Sequence, residues 1–137
     1  MEPIKIFLDT NIVLDFFTGR MNDGKAAKLV QLGSSPCYEM CISLLTAVNV
    51  LYVSRKLSSK LSPEDISTLF TILPQDAGQW DTASKLKMED FEDAVQASCA
   101  LASNCFCIVS RDRHYLDAPI PVLDPSDFLD TVVKALK

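Results

Sequence analysis

Short runs of apolar and β-branched residues recur along this chain, at 4–8, 37–42, 71–73, 105–109 and 120–123, and helical periodicity fills the intervals between them. Runs this short, bounded by proline, glycine and polar clusters, read as strands. Consecutive strands separated by helices need crossover connections, which set the strands parallel and lay helices on both faces of the sheet. The expected fold class is therefore α/β: a three-layer α/β/α sandwich with a mostly parallel central sheet. At 137 residues, 48% of them hydrophobic, the chain suits a single domain over 1–137, large enough to bury a core without a disulfide or structural metal.

The helical intervals have their own punctuation. Residues 11–17 read as a short helix closed by Thr18-Gly19-Arg20, and 22–32 as a second one stopping at Gly33. A long periodic stretch runs from Ser43 through Val53 and Leu57, and it is expected to be mostly buried. Ser62-Pro63-Glu64-Asp65 supplies a cap, a first-turn proline and an acid at the third helical position. Further helices are expected over 76–86, 90–103 and, behind Pro125-Ser126, 127–136.

Thirteen basic residues against 18 acidic ones give a net charge of -5, so nucleic acid would have to be bound by local positive groups rather than by bulk attraction. Arg20, Lys25, Lys28, Arg55, Lys56, Arg111 and Arg113 are the candidates, all expected near helix ends or loops. Tyr38, Tyr52, Trp80, Phe91 and Tyr115 could stack bases or pack in the core. The longest apolar stretch, 41–53, is broken by Ser43, Thr46 and Asn49 and is too short for a bilayer. With no basic leader before the first strand, the chain reads as soluble and cytoplasmic. Five cysteines without paired CxxC spacing, and the single His114, argue against zinc; the thiols are expected to be buried apolar groups in a reducing compartment.

In an open parallel sheet, sites form beyond the carboxyl ends of the strands. Asp9 follows the first strand, Asp112 follows the fourth, and Asp90 and Asp93 open the helix that leads into the fourth. Carboxylates gathered from such remote positions repel by something like 4 kcal/mol per pair at 4 Å and an effective dielectric near 20. A hard divalent cation, Mg2+ or Mn2+, relieves that repulsion and suits an all-oxygen ligand set. Simpler roles are open for each acid: Asp9 and Asp90 as helix caps, Asp93 at a third helical position, and Asp112 in a surface ion pair with Arg111 and Arg113. No glycine-rich phosphate loop is present, position 11 lacks the second aspartate of a dehalogenase-type phosphatase, and His114 has no nucleophile partner in sequence.

Taken together, Ile6-Phe7-Leu8-Asp9-Thr10-Asn11-Ile12, Ser43-Leu44-Leu45-Thr46, Asp90-Phe91-Glu92-Asp93-Ala94-Val95 and Ile108-Val109-Ser110-Arg111-Asp112-Arg113-His114-Tyr115 closely resemble the PIN-domain family over nearly the whole chain. They look most like its small single-domain members, the VapC-like toxins. The resemblance implies an endoribonuclease cleaving single-stranded RNA by metal-activated water, with Asp9, Asp93 and Asp112 as catalytic metal ligands and Asp90 assisting through water. Asn11 would orient Asp9, and Ser110 and Arg111 would stand near the metal or the scissile phosphate. It also implies a homodimer and a small antitoxin protein covering the acidic cleft. One position departs from the family: six residues beyond Ser43, where a glutamate is usual, stands Asn49. An amide oxygen brings no charge, so the alternative reading is a catalytically degenerate RNA-binding or scaffold module. A structure-specific DNA nuclease is a further option, although 137 residues leave little room for the helical clamps such enzymes use.

Overall fold

The computed structural model describes residues 2–57, 60–112, 115 and 117–132. Its sheet holds five strands, β1 (Ile4–Leu8), β2 (Tyr38–Ser43), β3 (Thr71–Leu73), β4 (Cys107–Val109) and β5 (Val122–Leu123), in the order β3-β2-β1-β4-β5. Every pairing is parallel, with Phe7 opposite Cys41 on one side and Ile108 on the other. β1 is the central strand, and its period-two alternation feeds two cores. Ile6 and Leu8 point into one with Met40, Ile42, Val50 and Phe128, whereas Phe7 points into the other with Cys41, Leu73, Ala97 and Ile108.

Helices α1 (Thr10–Thr18), α2 (Lys25–Leu32), α3 (Leu44–Lys56) and α4 (Pro63–Leu69) supply the first core; α6 (Phe91–Ala102), against which α5 (Ala77–Lys85) packs, supplies the second. This is the expected three-layer α/β/α sandwich. The polar caps fall where the residue types place them: Asp9, Ser43, Ser62, Asp76 and Asp90 each accept a bond from the first turn of the following helix. Ser62 and Asp65 form the reciprocal capping box.

Several details differ from the sequence expectations. The stretch beyond Ser43 is amphipathic rather than mostly buried: Thr46, Ala47, Val50 and Ser54 are buried, while Leu44, Val48, Tyr52 and Leu57 are exposed. One helical stripe suffices to cover its share of the sheet, and the opposite side faces outward. α2 starts at Lys25 rather than at residue 22, because Asn22 and Gly24 adopt left-handed backbone (φ 51° and 73°). The fourth strand begins at Cys107 rather than at 105. The fifth begins after Pro121, which accepts a ladder bond from the Ile108 N–H through its carbonyl but has no N–H to return. The last helix starts earlier than expected, as a turn α7 (Pro125–Asp127) capped by Asp124, and continues as a π-helical turn over Phe128–Val132; residues 133–136 of the expectation lie outside the described residues. Four cysteines are buried as expected, but Cys37, in the turn before β2, is exposed.

The α1 helix ends at Gly19, whose backbone lies in the left-handed region (φ 67°) and whose N–H closes on the Asp15 carbonyl. Nothing stands within 4 Å of a Cβ built there, so a substitution meets only the backbone penalty. Gly19→Ala should therefore lower unfolding free energy by about 1 kcal/mol, measurable by urea denaturation, with the sheet unchanged by circular dichroism.

Candidate active site

The carboxyl end of β1 delivers Asp9 to the junction of four segments. Its carboxylate is only 6% exposed and accepts four hydrogen bonds. Oδ1 takes the Thr10 N–H at 2.9 Å and the Gln96 amide at 3.5 Å; Oδ2 takes the Ser110 hydroxyl at 2.8 Å and the Asn11 amide at 3.2 Å. Burial raises its pKa above the ordinary carboxylate value, and the bonds from Ser110, Thr10 and Gln96 pull against that rise. Asp9 is thus both the cap of α1 and the centre of a polar cluster.

Besides its bond to Asp9, the Asn11 amide reaches Ser110 Oγ at 3.2 Å, and its carbonyl oxygen accepts the Arg111 N–H at 3.2 Å. Ser110 is buried, and its hydroxyl oxygen accepts the Asp112 N–H at 3.0 Å, which ties the segment after β4 to Asp9. Arg111 takes a different direction from the one expected. Its guanidinium leaves the acids and grips Asp15 of α1 through Nε at 2.6 Å and Nη2 at 3.0 Å, while Arg20 reaches the same carboxylate at 2.6 Å. The buried Asp15 thus holds Arg111, one of the two arginines expected to pair with Asp112; the other, Arg113, lies outside the described residues.

On the far side of the cluster, Asp90 caps α6 and is exposed, accepting the Asp93 N–H at 3.0 Å; Asp93, at the third helical position, is buried. Asp93 Oδ2 has no hydrogen-bond partner among the described residues. Burial first, then the charges of Asp90, Asp9, Asp112 and Glu92, push its carboxyl up to about 7. Asp9, Asp90, Asp93 and Asp112 therefore share one electrostatic neighbourhood. Among the described residues, no group of three His, Cys, Asp or Glu side chains is placed to hold a metal ion directly.

Sequence reasoning missed three participants. Gln96, 1% exposed, donates to Thr46 Oγ1 at 2.7 Å and Thr10 Oγ1 at 3.3 Å as well as to Asp9, and the two threonine hydroxyls meet at 2.7 Å. The signal was available, since Gln96 is a polar residue one turn beyond Asp93 on an otherwise Ala- and Cys-rich face. Tyr115, weighed only as a stacking or core aromatic, is buried beside the acids, as Tyr38 is buried elsewhere; Tyr52, Trp80 and Phe91 are exposed. Asp15 carried no motif. Asn49 sits half-buried on α3, one turn beyond Thr46, and among the described residues its carboxamide makes no hydrogen bond to the cluster. Lys28 lies mid-helix rather than near an end, and Arg113 and His114 lie outside the described residues. No helix among the described residues is long and apolar enough to cross a membrane.

The family model described as PIN domain matches residues 5–114. Ribonuclease VapC1 of Aquifex aeolicus is 25% identical over 139 residues, covering 95% of this chain and 96% of that protein. Among solved structures, a toxin-antitoxin complex from Klebsiella pneumoniae superposes with a TM-score of 0.67 at 22% identity, over 88% of this chain and 97% of that one. PAE2754 from Pyrobaculum aerophilum gives 0.63 at 16%, over 98% and 97%. FitAB bound to an IR36 DNA fragment gives 0.55 at 15%, over 88% and 94%.

The Asp93 environment fixes the sign of a pH effect. Its carboxyl ionises near 3.8 when free of the fold and near 7 within it, so the folded state holds the proton more tightly and loses stability as pH rises through that window. In metal-free buffer, Asp93→Asn should melt roughly 3–5 °C above the wild type at pH 8 and level with it near pH 4, read by calorimetry at both pH values.

Proposed function

The chain belongs to the PIN-domain family, and on that premise we propose that it is a metal-dependent endoribonuclease acting on single-stranded RNA, the toxin half of a toxin-antitoxin pair. The observation that carries this reading is the crowding of Asp9, Asp90, Asp93 and Asp112 at the carboxyl ends of β1 and β4, with Asp93 Oδ2 buried and without a partner. An anionic cluster of this kind is costly unless a cation answers it.

The residues fit a hard divalent ion in one respect and limit it in another. All the donors are oxygens, and a buried carboxylate oxygen is left over; yet no three acids stand at direct-ligation distance. That combination suits Mg2+ or Mn2+, which bind through one or two carboxylates and keep several waters: one or two of Asp9, Asp93 and Asp112 would hold the ion directly, and the remaining acids, Asp90 among them, would act through solvent. Such an ion supplies charge neutralisation at the phosphate and a more acidic water. The chain's own residues do the rest. Ser110 and Asn11 fix the rotamer of Asp9, the α6 N-terminus fixes Asp93, and Asp93 Oδ2 accepts a hydrogen from the attacking water. Arg20 and Arg111, anchored on Asp15, are the nearby groups that can face an RNA phosphate. The likeness to VapC1 and to the toxin-antitoxin complex supports the ribonuclease and antitoxin parts of the reading, and a homodimer belongs to it as well.

Asn49 favours a second reading, a degenerate RNA-binding or scaffold module, because its carboxamide adds neither charge nor a hydrogen bond to the cluster. The two readings separate in one experiment. With single-stranded RNA and Mn2+, the purified protein should cleave, EDTA should stop it, and Asp9→Asn and Asp93→Asn should each lose on the order of 100-fold in kcat/KM. Undiminished cleavage by Asp9→Asn would remove the proposed site. RNA binding without cleavage or any Mn2+ response would establish the scaffold reading, and cleavage gained by Asn49→Glu would trace the loss to that one position.

A further inference from the structure

The outer sides of α3, α5 and α6 carry one apolar stripe. Leu44, Val48, Tyr52 and Lys56 recur at four-residue spacing along α3, which sets them in line on its outward side. Leu44 and Val48 line a shallow cavity with Val95 of α6. One turn before Val95, Phe91 meets Trp80 of α5 edge-on, with ring centroids 4.9 Å apart. Leu44, Val48, Tyr52, Trp80 and Phe91 are 42–62% exposed, so the stripe runs from α5 across α6 onto α3 without cover. Its exposed apolar surface is on the order of 500 Å², near the upper end of what a lone domain keeps and more than half of what each partner buries in a stable interface.

The charges around the stripe are sorted by sign. Asp76, which lines the same cavity, and Glu92, beside Phe91, stand at one end; Arg55 and Lys56 close α3 at the other, with Lys56 Nζ 4.5 Å from the centroid of the Tyr52 ring. Such a face complements itself. Turned about a two-fold axis perpendicular to α3, its basic end meets the acidic end of a second copy, whereas parallel helices would set like charges together. With Val48 on the axis, Tyr52 of one copy lies against Leu44 of the other, and Lys56 passes one turn, about 5.4 Å, beyond the start of the facing α3. That is the carboxyl end of the sheet, where Asp90 caps α6 next to Phe91 and Thr46 of α3 joins the web around Asp9.

We propose that a second copy of this chain docks on this stripe with α3 antiparallel to α3, and that each copy sets its Arg55 and Lys56 at the rim of the other's acid cluster, as cations that receive RNA phosphates. This deepens the proposed function, whose homodimer it locates, and rests on it for the RNA. The arrangement answers a shortage within one chain: the net charge is -5, and Arg20 and Arg111 are already paired with Asp15. A second copy brings the local positive charge that a polyanion needs beside four acids.

Sedimentation velocity at micromolar concentration should show a dimer. Leu44→Gln/Val48→Gln, neutral changes at exposed helix positions, should give a monomer with unchanged circular dichroism. Arg55→Glu/Lys56→Glu and Glu92→Lys should each weaken self-association on the order of 10-fold, and an equimolar mixture of the two should pair again. In metal-free buffer with a short fluorescent single-stranded RNA, Leu44→Gln/Val48→Gln and Arg55→Ala/Lys56→Ala should each lose on the order of 10-fold in affinity. A monomeric wild type overturns the proposal, as does a dimer that survives Leu44→Gln/Val48→Gln or charge reversals that fail to pair when mixed. A Leu44→Gln/Val48→Gln monomer that binds RNA as tightly as the wild type overturns the lending of cations between copies, since they then act within their own chain. If the wild type binds no RNA, the nuclease reading fails together with the role of the cations, and the sedimentation results decide the interface by themselves.

Discussion

The whole arrangement depends on one buried carboxylate. Asp9 stands at the end of the central strand, where solvent is excluded, and an ion there is tolerated only because four donors surround it. Those donors come from the start of α1, from α6 and from the segment after β4. Satisfying Asp9 therefore fixes three elements that are remote in sequence but adjacent in the sheet, and Ser110 and Asn11 then carry Asp112 and Arg111 into place. Thr10, Thr46 and Gln96 extend the same web to α3.

Around that centre the electrostatics run against stability. Asp93 is both buried and surrounded by like charge, and its carboxyl is displaced to about 7 as a result. A protein selected only for folding would place an alanine or asparagine there; retaining the acid, with an oxygen left without a partner, is the pattern of a site whose stability is subordinated to chemistry. The helix N-terminus offsets part of the cost, since Asp90 and Asp93 sit where the α6 dipole favours negative charge.

Much of this was legible in the sequence, and the parts that were not share a cause. Strand positions, the parallel sheet and the three layers followed from the spacing of short apolar runs, and the caps from Asp9, Ser62 and Asp90, because these are local consequences of residue type. Asp9, Asn11 and Ser110 were singled out by a resemblance of motifs, and the fold brings the three side chains into mutual hydrogen bonds. Gln96 and Asp15 were missed because they bond to residues remote in the chain, Gln96 to Thr46 and Asp9 and Asp15 to Arg111, and Tyr115 because its neighbour Asp9 is equally remote; no local pattern encodes such contacts. Arg111 shows the same limit: its neighbours in sequence offered one partner, and the fold supplied a nearer and better buried one. The outward face of α3 was misjudged because apolar composition alone does not tell how many sides of a helix the sheet covers.

Asp15, gripped at once by Arg20 and Arg111, has a mechanical consequence. The turn after α1 and the segment after β4 share one anchor, because pulling either guanidinium away weakens the hold on an anion that has almost no access to water. A contact at the rim, where Arg20 is nearly half exposed, is thereby linked through a single carboxylate to Arg111, whose backbone N–H is held by Asn11 beside the acids.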